Sequence, residues 1–370
     1  MTDAVPIFGA ELRRLRHERG LSTRELARKV PHSKSVIGAW ETGTRNPPTV
    51  ADAKRLDDFF GSGDTLTAAA ANIIGANGNT DRLKRVAAAP RTVDTASVDA
   101  LSKILANMRR LEDSFGAEPL ITATAGPLRL VESLADEARG PIRSSVVDLA
   151  GQWAQFAGWL RAATGQPAKA REQYARTLEH ATETGNHDLI ATSMSMRGNL
   201  AWMARKPGAV IGLSEAAAEN ADSPGVRAMA EQQQARGHAT LGDAEAVKRL
   251  LDLAEEDMKI AAEHPDDEPP WIYFYSPGYL QMQRGLAYRL LDRHEDAIAH
   301  LTDGLAATGE ALQTSEFVAV YVLYLAEEHL AAGNPDEAER LLEQIRQIAK
   351  STGSARLARE VTRLERRLDS

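Results

Sequence analysis

The chain has 370 residues, a formal net charge of −8, 43% hydrophobic residues and 26% charged ones, the make-up of an ordinary water-soluble protein long enough for two or more domains. It contains no cysteine, which excludes disulfides, a thiol nucleophile and cysteine-ligated zinc. The start is not signal-like and no run of about 18 apolar residues occurs, so a cytoplasmic protein with no membrane partner is expected.

Ile7 to Arg19 carries Phe8, Leu12 and Leu15 at helical spacing, with Arg13, Arg14, Arg16 and Arg19 expected on the outward side. Ser22 with Glu25 three residues later has the spacing of a capping box, and Leu26, Ala27 and Val30 then share one helical face. Pro31-His32 interrupts. Ser33 offers a second N-cap, for a helix from Lys34 to Glu41 whose apolar face is Val36, Ile37 and Trp40. Gly43 stops that helix, Arg45 to Pro48 reads as extended loop, and Thr49 to Phe60 closes the unit with Ala53, Leu56, Phe59 and Phe60 inward. Residues 1–60 hold 11 basic and 8 acidic residues, a net +3 that leaves −11 for the rest of the chain. A basic head on an acidic body fits a protein that meets nucleic acid at one end only.

Gly61-Ser62-Gly63 breaks the pattern, and a weak helix from Leu66 to Ile74 is expected to end in Gly75-Ala76-Asn77-Gly78-Asn79. Residues 62–96 therefore read as a hinge, partly helical, between a domain at 1–61 and a body at 97–370. Ser97 is an N-cap candidate for a helix carrying Val98, Leu101, Ile104, Leu105, Met108 and Leu111. Pro119 opens another helix, which Gly126-Pro127 is expected to bend or split, and Pro141 starts a long one to about Thr164.

Beyond residue 150 small or β-branched residues recur in pairs 12 apart: Gly158/Ala170, Gly198/Val210, Ala235/Val247, Gly285/Ala297 and Ala326/Ala338. A helix break lies between the members of each pair, at Gly165-Gln166-Pro167, Lys206-Pro207-Gly208, Gly242-Asp243, Asp292-Arg293-His294 and Gly333-Asn334-Pro335. Antiparallel helices approach closely only where both carry small residues, and a large one four positions on (Tyr174, Leu251, Leu301, Leu342) would fill the next layer. No stretch alternates with strand period. The chain is expected to be all-α, with helical hairpins over about 145–350 and a charged capping helix over 354–368.

The segments GLS at 20–22, ELA at 25–27, SKSVI at 33–37, WETG at 40–43 and RNP at 45–47 resemble the phage-repressor (Xre/Cro) helix-turn-helix family. The paired small residues resemble tetratricopeptide repeats, which stack helix pairs into an α-solenoid with a concave inner face. Head plus array resembles the Xre-type regulators of high-GC bacteria, among them peptide-pheromone receptors. The resemblance implies a transcription factor that binds a double-stranded DNA operator, with a body that forms a homodimer, senses an effector, or both. On that reading Lys34 and Ser35 reach base edges. Thr23, Ser33 and Arg45 contact phosphates, and Arg24 and Ala39 complete the DNA-facing set. Gly38 and Ala39 stand where longer polar side chains are common. They keep open a protein-interaction scaffold or antitoxin-like partner whose head does not bind an operator.

The stretch EHPDDEPPWIYFYSPGY at 263–279 lengthens one repeat interval and concentrates Trp271, Tyr273, Phe274, Tyr275 and Tyr279 in a chain with 5% aromatic residues. Such rings beside a groove suit a peptide, small molecule or protein partner, or alternatively plug a junction between repeats. Trp271, Tyr275 and Tyr279, with Trp159, Trp202, Arg236 and Arg289, are the candidate effector contacts. By repeat register Gln155, Asn199, Gln232, Met282 and Glu327 share the concave side. No GxSxG, phosphate-cradling Gly loop or HExxH occurs, and His294 and His300 lack ligand spacing, so neither an enzyme, a cofactor nor a metal is expected.

Overall fold

A computed structural model describes residues 4–30, 32–42, 48–63, 65–308, 315–352 and 354–368. Among these residues every regular element is a helix, and the chain divides into two compact units, Met1–Thr92 and Val93–Ser370. Among the described residues the fold is all-α, with a helix-turn-helix unit first in the chain and a run of stacked helical hairpins in the second unit.

In the first unit α1 spans Ala4–Glu18, α2 Thr23–Lys29, α3 Lys34–Glu41, α4 Val50–Phe60 and α5 Thr65–Ala88. Their starts follow from side-chain caps. Ser22 and Glu25 form the reciprocal capping box, Ser33 Oγ accepts from Val36 N–H, and Thr49 Oγ1 accepts from Asp52 N–H. Phe8, Leu12, Leu26, Ile37, Trp40, Leu56 and Leu66 make one buried core. Gly9 lets α1 lie directly on α3, since a Cβ there would come within 2.6 Å of the Trp40 carbonyl.

The break expected at Gly75–Asn79 is absent: α5 runs on through it. Glycine and asparagine have low helix propensity, of order 0.5–1 kcal/mol each, but tertiary anchoring overrides such a cost. Leu66 and Ala70 are fully buried in the head core at one end, and Val86 is buried near the other. The start is held by Asp57, whose carboxylate accepts from Leu66 N–H at 2.9 Å, Thr67 N–H at 2.7 Å and Ser62 Oγ–H at 2.6 Å. Burial pushes that carboxyl up, and these donors outweigh it, holding Asp57 below the usual carboxylate range. Thus most of the stretch read as a hinge is a helix packed on α1 and α4.

The second unit opens with α6, Thr95–Phe115, whose N-cap is Asp94, accepting from Ser97 N–H, and not Ser97 itself. Helix α7, Glu118–Glu137, continues through Pro127 without splitting. Five hairpins follow: α8/α9 (Ile142–Ala163, Pro167–Thr184), α10/α11 (His187–Met203, Pro207–Asn220), α12/α13 (Pro224–Thr240, Ala244–Glu263), α14/α15 (Pro277–Leu290, His294–Ala306) and α16/α17 (Glu316–Ala331, Pro335–Thr352). Every hairpin turns through one residue in the left-handed region: Gly165, Arg205, Gly242, Asp292 and Gly333, with φ between 55° and 80°. In each, the left-handed residue and its successor return their N–H groups to the last helical turn, as Gly165 does to Ala162 and Gln166 to Arg161. The small-residue pairs sit where the hairpin helices touch. A Cβ on Gly158 would collide with the Tyr174 ring, and one on Gly285 would come within 2.6 Å of Leu301. Tyr174, Leu251, Leu301 and Leu342 are buried in the next layer. Helix α18, Ala355–Leu368, packs Leu357, Val361 and Leu364 onto the last hairpin. No helix among the described residues is long and apolar enough to cross a membrane.

Candidate nucleic-acid interface

The α2–α3 pair sets its exposed polar residues at the start of α3. Ser33, Lys34 and Ser35 are exposed there, on a helix whose opposite side buries Ile37 and Trp40. Ser33 Oγ lies 2.9 Å from Ser35 Oγ and also caps Val36 N–H, so both hydroxyls are held at the helix mouth. Arg24 is exposed on α2, while Thr23 and Ala39 are half-buried. The expected phosphate contact Arg45 lies outside the described residues. Exposed Arg24, Arg28, Lys29 and Lys34 have no ion-pair partner among the described residues, whereas Arg14 is paired with Glu11 and Glu18 and Arg55 with Asp52. Arg13 on α1 and Arg19 just after it likewise have no carboxylate within ion-pair range among the described residues, so such charge spans α1, α2 and the start of α3.

What braces this pair was not anticipated. Arg16, expected outward, is 7% exposed and clamps Glu41 at the end of α3 with two bonds of 2.6 and 2.7 Å. Its third bond, 2.7 Å to the Leu21 carbonyl, ties the α1–α2 turn to the same point. The hydrogen bonds from Glu41 raise the Arg16 pKa. Arg16 sits one position after the buried Leu15, on the margin of the apolar stripe, and Glu41 follows Trp40 in the same way. Their paired marginal positions are the one signal in the sequence that would have matched them.

The effector candidates are not brought together at one open surface. Trp271 is 5% exposed, packs with Ala181 and Leu189, and donates Nε1–H to Thr192 Oγ1 at 2.9 Å. Tyr275 is buried and donates its hydroxyl to the Ala228 carbonyl at 3.0 Å. Both are packing residues at a repeat junction, because every polar atom of their rings is already engaged inside the protein. Tyr279 is half-buried and stacks on Phe317 with centroids 5.4 Å apart. Exposed Tyr273 bonds Asp113 of α6 at 2.8 Å, tying the insertion to the first helix of the body.

The inner helices carry a polar group in two halves. Arg236 lies over the Trp202 ring at 4.7 Å and donates to Asn199 Oδ1 at 3.1 Å and Gln233 Oε1 at 3.2 Å. Arg289 pairs with Glu327 at 2.6 Å and Glu328 at 3.0 Å and lies over Tyr324 at 5.2 Å. Between them Gln232 donates to Gln283, which donates to the Tyr321 hydroxyl. Gln155, Gln232, Met282 and Glu327, expected to line an open concavity, are buried. Trp159 is half-buried on α8 and shares no ring or hydrogen-bond contact with this group among the described residues.

Residues 7–70 match a family model described as a helix-turn-helix domain. The matched span takes in α2, α3 and the anchored start of α5. No curated protein matches the chain. Among solved structures it is similar to the crystal structure of the APC/C hetero-tetramer Cut9-Hcn1, at 13% identity and a TM-score of 0.30, covering 85% of this chain and 67% of that one. That likeness is too distant to carry any statement about this chain.

Proposed function

We propose that the protein is an Xre-type DNA-binding transcriptional regulator. Helix α3 enters the major groove by its N-terminal end, and the helical-hairpin body dimerises and receives an effector. The observation that carries the reading is the exposed Ser33-Lys34-Ser35 mouth of α3, beside exposed Arg24, Arg28 and Lys29 and braced from behind by Arg16 and Glu41. Lysine donates to guanine acceptors in the major groove, while hydroxyls and arginines at helix starts suit phosphates. One such head covers a few base pairs, so two heads on half-sites about one helical turn apart are needed for specificity, and the acidic body is large enough to hold the dimer. A second reading, a protein-interaction scaffold, is favoured by one observation: Gly38 faces open space, with nothing within 4 Å of a Cβ built there. The middle of α3 thus offers no long polar side chain at that position.

The test is Lys34→Ala in a footprinting titration. It should cost about 1–3 kcal/mol on the preferred site and relax its sequence preference. Unchanged affinity and preference would show that α3 does not read the bases.

A further inference from the structure

Arg236 differs from the other well-partnered arginines of the fold. Arg16 has Glu41, Arg284 has Asp252 and Glu255, and Arg289 has Glu327 and Glu328. Arg236, at 9% exposure, is nearly as buried as Arg16 and Arg284 and more buried than Arg289, yet its acceptors are two neutral amides and no carboxylate among the described residues lies within ion-pair range. Its Nε–H is buried with no acceptor at all. Burial lowers its pKa, and the neighbouring titratable groups, the hydroxyls of Tyr279, Tyr321 and Tyr324, are neutral at physiological pH and supply no counter-charge. Arg109 on α6 also lacks a carboxylate within ion-pair range among the described residues, but no cation–π or amide contact holds it there, and its neighbour is Tyr273. A guanidinium held by a tryptophan face and two amide oxygens, and denied a counter-ion, is a charge the protein positions at a cost. Positioning of that kind, against stability, is what binding sites require.

We propose that Arg236 is the anion-recognition residue of a ligand site on the inner helices α10, α12, α14 and α16, and that its ligand is a small organic acid presenting one carboxylate. The carboxylate is favoured over phosphate by shape, since a planar carboxylate matches the planar guanidinium fork. The second guanidinium of this group, on Arg289, is engaged by Glu327 and Glu328, which leaves Arg236 as the group's anion partner. An aromatic or apolar body on the acid would lie against the half-buried rings of Tyr279 and Phe317, which stack on each other with centroids 5.4 Å apart. The site deepens the effector part of the function proposed above and rests on that reading for its regulatory meaning, though not for its binding chemistry.

The experiment uses the full chain with benzoate and inorganic phosphate as probes at matched ionic strength, following heat of binding, melting temperature and operator affinity. Two variants accompany the wild type. Arg236→Gln removes the charge, and Asn199→Asp places a permanent carboxylate where Asn199 Oδ1 now accepts from Arg236 at 3.1 Å. Without probe, Arg236→Gln should melt no lower than wild type and Asn199→Asp should melt higher. Benzoate should bind the wild type saturably. Arg236→Gln should weaken it about 10- to 100-fold, the worth of a charge-assisted pair, and Asn199→Asp should abolish it. If both variants melt below wild type, Arg236 is a structural residue and the proposal fails. If phosphate binds as well as benzoate, the carboxylate assignment fails. Benzoate binding that depends on Arg236 but leaves operator affinity unchanged would uphold the site and remove its role as a regulator of DNA binding.

Discussion

Replacing Trp271 by alanine separates a packing residue from a ligand contact. The indole is 5% exposed, lodged against Ala181 and Leu189, with its Nε1–H on Thr192 Oγ1 at 2.9 Å. A buried tryptophan removes about 150–250 Å² from water, worth roughly 4–6 kcal/mol at 25 cal/mol per Å². Alanine retains a part of this, and buried aromatic-to-alanine changes cost about 3–5 kcal/mol. The lost hydrogen bond contributes about 1 kcal/mol of that total. Thr192 Oγ1 still donates to the Asp188 carbonyl at 2.7 Å, so no donor is stranded. Trp271→Phe should therefore cost only about 1–2 kcal/mol, since it keeps most of the ring and drops the bond. Urea unfolding followed by circular dichroism reads both numbers. The transition of the helical body should move, with Trp271→Ala shifted well beyond Trp271→Phe. A loss below about 1 kcal/mol for Trp271→Ala would refute the packing assignment and return the residue to the list of ligand contacts.

Three further outcomes are expected. Arg205→Gly and Asp292→Gly should each stabilise the body by about 0.5–1 kcal/mol, because both residues turn their hairpins at φ 55°, where a side chain is strained; destabilisation would mean the side chains hold the turns. Arg16→Ala should destabilise the head by about 3–5 kcal/mol, since it leaves Glu41 buried without a counter-ion; thermal unfolding of the variant with an intact head would contradict the clamp. Glu231, whose pKa burial and the neighbouring Asp257 raise to about 7, holds in the folded state a proton that the unfolded chain releases. Its contribution thus falls as pH rises from the ordinary carboxylate range, about 4.3, toward 7, and is level above that. Glu231→Gln should flatten this slope in melting temperature and stabilise the protein at alkaline pH, and a variant whose pH profile ran parallel to the wild type would refute it.

Local chemistry carried most of what was legible in the sequence. The capping box of Ser22 and Glu25, the Ser33 cap and the five hairpin turns are each decided by residues a few positions apart, and each is where the spacing predicts it. The small-residue pairs were legible for the same reason, since helix contact demands them at fixed register. Long-range partnerships were not. The continuity of α5 depends on Asp57, nine residues before Leu66, and on core contacts that outweigh the Gly and Asn residues within the helix. Arg16 reads as one more outward arginine until Glu41, 25 positions away, is placed beside it. The aromatic insertion shows the same limit. Its composition fits a clamp or a plug equally, and only the partners Thr192 and Ala228, from other repeats, decide for the plug. At the interface itself the exposed Lys34 and Ser35 were legible from their place after a cap, whereas the exposure of Arg28 and Lys29 beside them depends on how α2 packs.

The claim that the head reads DNA sequence is tested most directly by incubating the purified full chain with sheared genomic DNA and sequencing what it retains. Enrichment of discrete sites carrying two related half-sites about one helical turn apart, lost with Lys34→Ala, is the predicted result. Retention of all fragments alike, or of none above input, would contradict an operator-reading head.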